Sequence, residues 1–220
     1  AEKRRLRPEE FSRRYEGEFK KMTGLVYDIP QEQIIAPIDV NIKTEARIIG
    51  VDWGFRNPAA IIVLYLRDNV WHIVDEWKES EKTTAEIIQV IQNKLKEHRA
   101  TRVYPDPAEP DRIQECKNAN LPMYETNKDI KGGVSFIQTL IREKRFFVCN
   151  NCVQTLDELS MYHYPEGKEG KPYEDEPEKF NDHIADSFRY AIYSYVPIQQ
   201  YDYKPSSPIM PFYGDRDLSF

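Results

Sequence analysis

Three short apolar runs separated by polar turns predict an antiparallel meander in the first half of the chain. Residues 47–52 form an apolar run that ends in Asp52, residues 58–65 form a second run, and residues 70–77 form a third. The polar residues 67–69 supply a turn between the second run and the third. Apolar runs with tight connections are typical of neighbouring antiparallel strands. The sequence therefore predicts three consecutive strands that pair with one another.

Helical and extended patterns alternate after this meander. Thr83 or Thr84 can cap a helix, because apolar residues recur at helical spacing from Ile87 to Leu95. The later segments predict strands at 102–106 and 121–124, an extended stretch at 146–148, and helices at 108–118, 132–143, 153–161 and from Asn181 or Asp182 to Tyr195. This order predicts an α/β fold with a central mixed sheet of five or more strands and helices on both faces.

The two ends of the chain lack this periodicity. Residues 1–40 are polar and interrupted by glycine and proline, which predicts a linker or docking arm. Residues 41–196 contain the periodic segments and predict the main domain, and residues 197–220 predict a flexible C-terminal tail. Residues 162–179 are rich in Gly, Pro, Lys and Glu, and residues 164–173 within this stretch predict a small auxiliary hairpin.

Composition and charge exclude several classes of protein. No apolar run in the 220 residues reaches the roughly 18 that a membrane helix needs, and the basic start does not resemble a secretory signal. We therefore expect a soluble intracellular protein with no membrane partner. The net charge of -6 does not favour binding of nucleic acid by bulk electrostatics, so local clusters of basic residues matter more.

Three aspartates occupy positions that favour metal binding. Asp52 ends an apolar strand, where a carboxylate without a partner or a metal ion is costly. Asp106 ends another short strand, and ligand sites in such sheets favour strand ends. Asp186 lies on the last helix, where Asp182 and His183 can share its face. Carboxylate oxygens prefer Mg²⁺ or Mn²⁺, and two such ions about 4 Å apart can hydrolyse a phosphodiester.

Ordinary structural roles stay open for several of these residues. Asp182 can serve as a helix N-cap, and Asp106 can form a turn before Pro107. His183 can be a structural histidine, and Lys128 can be a solvated lysine. The three aspartates are therefore informative as a combination and not singly.

Five segments occur in an order that resembles a known family. They are residues 49–54 (IGVDWG), 58–60 (PAA), 104–106 (YPD), 127–133 (NKDIKGG) and 181–191 (NDHIADSFRYA). Over about residues 10–196, the chain resembles the nuclease domain of the large terminase subunit of tailed double-stranded DNA bacteriophages, in the ribonuclease H-like superfamily. The last segment is the most specific, whereas the first is shared with other ribonuclease H-like proteins.

The resemblance implies an endonuclease that cuts concatemeric double-stranded viral DNA at initiation and termination of genome packaging. It implies that Asp52, Asp106 and Asp186 are catalytic and hold the metal, two Mg²⁺ or Mn²⁺ ions. Auxiliary roles are implied for three further residues, Asp182, His183 and Lys128. Because no segment resembles a base-reading helix or a zinc finger, we expect low sequence specificity.

The resemblance also implies partners and a location. The partners are an ATPase domain of the same polypeptide, for which residues 1–40 would be the linker, together with the portal protein and the small terminase subunit. The location is the cytoplasm of the infected bacterial host. The chain lacks the G-x-x-x-x-G-K-[ST] phosphate-binding loop, so we expect no ATPase activity from it. The hairpin at 162–176 would lie beside the active site and regulate access of DNA.

Three other interpretations stay open from the residues. A junction resolvase or transposase with the same fold would act on branched DNA or on transposon ends. An actin-like ATPase or sugar kinase would share the Gly-Val-Asp-Trp-Gly segment at 50–54 but needs further glycine-rich loops, which this chain lacks. A non-catalytic module that docks on a portal would not cleave DNA with any metal.

Overall fold

The computed structural model describes residues 24–165 and 176–195, and the predicted arm, hairpin tip and tail outside these ranges are not described. Within the described ranges the chain forms six strands and five α-helices. The strands are β1 (Ile34–Ile35), β2 (Ala46–Asp52), β3 (Ala59–Arg67), β4 (Val70–Glu79), β5 (Arg102–Pro105) and β6 (Phe146–Cys149). The helices are α1 (Thr84–His98), α2 (Pro110–Asn118), α3 (Ile130–Arg142), α4 (Val153–Leu159) and α5 (His183–Ser194).

The six strands form one mixed sheet in the order β1-β6-β4-β3-β2-β5. Strands β2, β3 and β4 are antiparallel neighbours, as the meander predicts, while β5 pairs with β2 and β6 pairs with β4 in parallel. Strand β3 is buried from Ala59 to Leu66, because it lies inside the sheet and both of its faces are covered. The predicted α/β fold with a central mixed sheet is confirmed.

Two details of the sheet differ from the sequence-based expectation. The expectation of a strand at 121–124 is wrong, since within this segment only Met123 forms a bridge, to Val103. Pro122 has no N–H to donate, which limits the pairing of this segment. The sixth strand is β1, whose two residues pair with β6, and two residues are too few to show any periodicity.

The segment expected to be a linker is packed into the domain from residue 24 onward. Val26 and Tyr27 are buried in the hydrophobic core. Gln33 is also buried, and its Nε2 donates to the carbonyl of Phe146 at 2.7 Å. The domain therefore extends toward the N-terminus beyond the expected boundary at residue 41.

The helix ends show which capping predictions hold. Thr83 caps α1 through a capping box with Glu86, as one of the two predicted choices. Asp129 caps α3 by accepting from Gly132 N at 3.2 Å, so this helix begins two residues earlier than expected. Asp182 occupies the N-cap position of α5 but makes no side-chain capping bond. None of the helices in the described ranges has the length and apolar character needed to cross a membrane.

Helix α5 lies unusually close to strand β2. A Cβ atom built on Gly50 would lie 2.0 Å from the carbonyl oxygen of Ser187. Side chains alternate along a strand, so Asp52 points to the same face of the sheet as Gly50. Arg47 points to the opposite face and donates to the carbonyl of His98 at the end of α1 at 2.9 Å. The glycine therefore lets α5 approach the face that carries Asp52.

We predict that Gly50→Ala destabilises the domain, because backbone atoms of Ser187 leave no room for a methyl group. Overpacking of this kind costs about 1–3 kcal/mol of unfolding free energy. Urea denaturation followed by circular dichroism measures the loss. Ala46→Val, at the half-buried start of the same strand, is the control. A loss for Gly50→Ala no larger than that of the control would contradict the close approach.

Candidate active site

Asp52 and His183 form a hydrogen-bonded pair between the end of β2 and the first turn of α5. Nδ1 of His183 lies 2.9 Å from Oδ2 of Asp52, and both side chains are largely buried. Burial raises the pKa of Asp52 to about 6, the hydrogen bond from His183 opposes this, and the charges of Asp186 and Asp106 add to it. The same hydrogen bond raises the pKa of His183. The two side chains therefore compete for a proton near neutral pH.

Asp106 is placed next to Asp52 by the pairing of β5 with β2. Its backbone N–H donates to the carbonyl of Val51 at 2.8 Å, and its own carbonyl accepts from Trp53 Nε1 at 2.9 Å. Its Oδ1 accepts from the backbone of Ala108 at 3.0 Å and from Lys128 Nζ at 3.1 Å. Asp106 thus shapes the turn after β5, and it also presents a carboxylate at the edge where β2 ends.

Asp186 is held by two neighbours on its own helix. Oδ1 accepts from Nη2 of Arg189 at 2.7 Å and from its Nε at 3.3 Å, while Oδ2 accepts from the hydroxyl of Tyr190 at 3.3 Å. Arg189 follows Asp186 by three residues, and residues three apart share a helix face. Arg189 is 1% exposed, so this ion pair is buried on the arginine side.

The charges of the three aspartates affect the pKa of the same neighbouring side chain, Tyr190. Burial raises the pKa of Tyr190, and the negative charges of Asp186, Asp106 and Asp52 all raise it further. Burial also raises the pKa of Asp182, with a further contribution from Asp186. The three aspartates, which come from separate segments, therefore lie near enough for their charges to act on one another, although their ligand atoms are not all within 4.8 Å of one another.

The donor set fits a hard divalent cation. Asp52, Asp106 and Asp186 offer carboxylate oxygens, which are the ligands that Mg²⁺ and Mn²⁺ prefer. Lys128 Nζ already lies against Asp106, which shows that this edge accepts a positive charge. The mutual repulsion that contributes to the raised pKa of Asp52 is of the kind that a bound cation relieves.

A second acidic cluster lies elsewhere in the fold. Potential ligand atoms of Asp75, Glu97 and His98 lie within 4.8 Å of one another, and among the described residues no other group of three meets this distance. Lys94 Nζ already contacts Asp75 Oδ2, and His98 Nε2 lies 2.7 Å from the same oxygen. Tyr65 completes the network, with its hydroxyl 2.9 Å from His98 Nδ1. A protein cation already occupies this cluster, so we interpret it as a structural ion-pair network.

A buried ion pair under the start of α5 was missed by the sequence analysis. Lys78 Nζ lies 2.6 Å from Glu158 Oε2 and donates to Asn181 Oδ1 at 2.6 Å. Glu158 Oε1 accepts from the backbone of Ala185 at 2.8 Å, one residue before Asp186. The pair joins β4, α4 and α5, and nothing in the sequence distinguishes these two charged residues from solvated ones.

Comparisons with known proteins identify a matching family model and a curated relative. The family model described as the Terminase RNaseH-like domain matches residues 49–194. The large terminase subunit of Escherichia phage T5 is 25% identical over 199 residues, which is 84% of this chain and 45% of that protein. The chain therefore spans about half the length of this curated relative.

Solved structures show the same fold. The large terminase of a thermophilic bacteriophage has a TM-score of 0.68 and 25% identity, covering 77% of this chain and 44% of that one. The nuclease domain of the g2p large terminase of bacteriophage SPP1, a structure with bound Mn, has a TM-score of 0.63 and 19% identity over 77% of this chain and 97% of that one. The likeness to the SPP1 domain, at 19% identity, shows the shared fold alone.

We predict that Lys78→Met lowers the free energy of unfolding by about 3–5 kcal/mol above neutral pH, because it leaves the Glu158 carboxylate buried without its cation. Burial raises the pKa of Glu158 to about 7 even beside Lys78, against an unfolded value of 4.5. Stability is therefore lost as pH rises through the folded pKa, and the loss is smaller at about pH 5.

Urea denaturation at about pH 5 and pH 8.5 measures this difference. Lys82→Met is the matched control, because Lys82 pairs with Glu79 and Glu86 on the surface. Equal losses for Lys78→Met at both pH values would show that the Glu158 charge is not responsible.

We predict that the affinity of the protein for Mn²⁺ falls about tenfold between about pH 7.5 and pH 5.0, because a proton on Asp52 competes with the ion. Asp52 is ionised above its pKa of about 6 and protonated below it. Protonation of His183 beside Asp52 acts in the same direction. Isothermal titration calorimetry measures the affinity for Mn²⁺, and an affinity that does not change with pH over this range would contradict the prediction.

Proposed function

Because this chain belongs to the terminase ribonuclease H-like domain family, we propose that it is a metal-dependent endodeoxyribonuclease. The observation that supports this most strongly is that the charges of Asp52, Asp106 and Asp186 act on one another and on Tyr190. Asp52 and Asp106 come from two adjacent strand ends, and Asp186 comes from helix α5. In this proposal the three aspartates are the catalytic and metal-binding residues. Two bound Mg²⁺ or Mn²⁺ ions would activate water and stabilise the leaving oxygen of a phosphodiester.

The surrounding side chains orient these carboxylates. Arg189 and Tyr190 occupy defined oxygens of Asp186 and so fix the direction of its remaining lone pairs. Nδ1 of His183 lies 2.9 Å from Oδ2 of Asp52, so this imidazole would orient the carboxyl group and is placed to take up the proton that the group loses on binding a cation. The auxiliary role of Asp182 is to add negative charge beside Asp186.

Lys128 is the residue best placed to meet the substrate. Its side chain is 50% exposed while its Nζ lies 3.1 Å from Asp106. A flexible ammonium group that already reaches the carboxylate edge can instead bind a phosphate oxygen of DNA once a metal ion neutralises Asp106. This supports the expected position of Lys128 near the scissile phosphate.

The wider role follows from the large terminase relatives and forms part of the same proposal. The substrate would be concatemeric double-stranded viral DNA, cut at initiation and termination of packaging with low sequence specificity. An ATPase domain of the same polypeptide, the portal protein and the small terminase subunit would be its partners in the cytoplasm of the infected host. Membership of this family favours that role over a junction resolvase with the same fold.

We predict that Asp52→Asn, Asp106→Asn and Asp186→Asn each reduce Mn²⁺-dependent nicking of supercoiled plasmid by at least about a hundredfold. Each change removes one negative charge from the metal site while keeping the size of the side chain. The assay compares Mg²⁺, Mn²⁺ and EDTA, and circular dichroism checks the fold of each variant.

Asp68→Asn is the matched control, since Asp68 is exposed in the turn after β3 and has φ 51°, which asparagine also adopts. This control should nick plasmid like the wild-type chain. Wild-type activity in any one of the three site variants would remove that aspartate from the site. A folded wild-type chain that nicks no DNA with either ion would favour the non-catalytic docking module.

A further inference from the structure

We propose that the loop between β2 and β3 contacts DNA directly, with Phe55 against the base stack and Arg56 against a backbone phosphate. This inference rests on the proposed function, because it takes DNA as the substrate of the adjacent carboxylates. It assigns a role to two exposed residues that the catalytic proposal does not use.

The position of the loop follows from the sheet. Strand β2 ends at Asp52 and its antiparallel neighbour β3 begins at Ala59, so residues 53–58 project from the edge of the sheet where Asp106 lies. Three residues span at most about 10 Å, which keeps Phe55 within about 10 Å of Asp52 along the chain. Base pairs stack every 3.4 Å, so an aromatic ring there reaches bases within about three pairs of the bond to be cut.

The backbone of the loop is held firmly although its tip is exposed. The carbonyl of Phe55 accepts from Glu81 N at 2.7 Å, and the carbonyl of Gly54 accepts from Arg112 Nη1 at 3.2 Å. A Cβ on Gly54 would lie 2.4 Å from the carbonyl oxygens of Asn57 and Pro58, so the turn is tight. Trp53 is buried below it and donates to Asp106. The tip is therefore presented in a defined position relative to the carboxylates.

The side chains at this tip suit nucleic acid. Phe55 is 51% exposed, and Arg56 is exposed with no ion-pair partner among the described residues. An arginine supplies a positive charge that phosphate recognition requires, in a chain whose net charge is -6. Apolar rings inserted between base steps kink the duplex and are common in proteins that bind DNA without reading its sequence. The pairing of an aromatic ring with an unpaired cation favours DNA over an apolar protein partner.

The test compares four variants of the full chain. Phe55→Ala and Arg56→Ala remove the two contacts. Phe136→Ala is the control for Phe55, since Phe136 is a similarly exposed phenylalanine, at 41%, and lies on α3 instead of in this loop. Arg67→Ala is the control for Arg56, since Arg67 is exposed at the opposite end of β3. Circular dichroism melting confirms that all four fold.

Binding is measured by fluorescence anisotropy on a short duplex in EDTA, over a series of low salt concentrations. Arg56→Ala should reduce the slope of log affinity against log salt by about one, because one phosphate contact is lost. Phe55→Ala should weaken binding at least about fivefold with the slope unchanged, because loss of base contact is not electrostatic. It should also abolish the fluorescence increase of 2-aminopurine placed along one strand, which reports unstacking.

Each outcome has a distinct meaning. If Phe55→Ala and Arg56→Ala bind duplex like their controls, the loop does not contact DNA and the inference is overturned. Nicking of plasmid by the wild-type chain with Mn²⁺ would then leave the proposed nuclease function intact. If the wild-type chain binds duplex but does not nick it, the nuclease proposal fails while the binding data still decide the inference. Absence of any DNA binding by the wild-type chain overturns the inference as well.

Discussion

The contact between helix α5 and strand β2 is the constraint on which the candidate site depends. Gly50 leaves no side chain between the strand and the backbone of Ser187, so the helix lies directly against the sheet. This approach brings His183 within hydrogen-bonding distance of Asp52 and carries Asp186 to the same edge. A larger residue at position 50 would push away the helix that supplies part of the site. Backbone packing, and not attraction between the carboxylates, therefore assembles them.

Assembly of like charges is unfavourable, and the protein offsets it with a separate partner for each aspartate. His183 pairs with Asp52, Lys128 with Asp106, and Arg189 with Asp186. These cationic partners differ in how easily they can be displaced from their carboxylates, because Arg189 is buried whereas the side chain of Lys128 is half exposed. The arrangement keeps Asp186 fixed while leaving Asp106 open to exchange its cation for another.

Support for the site extends below it and beside it. The ion pair of Lys78 and Glu158 secures the start of α5 through the backbone of Ala185. On the other side, Trp53 fastens the β2–β3 loop to Asp106. The helix and the loop that flank Asp52 are thus tied to different strands of one sheet. Rigid supports of this kind hold reactive groups within the small tolerance that catalysis requires.

Periodicity by itself determined the meander, the α/β class and most helices, because strand and helix patterns are local properties of a few residues. Asp52 and Asp106 were also visible, since a charge that ends an apolar run stands out, whereas Asp186 was singled out by the acidic and histidine residues that share its helix face. Only the tertiary structure decided which distant residues meet. The two-residue strand β1, the buried Lys78–Glu158 pair and the pairing of Arg189 with Asp186 depend on contacts across the sheet and between helices. The sequence around a charged residue does not show whether that residue is solvated or buried, because its burial is set by elements far along the chain.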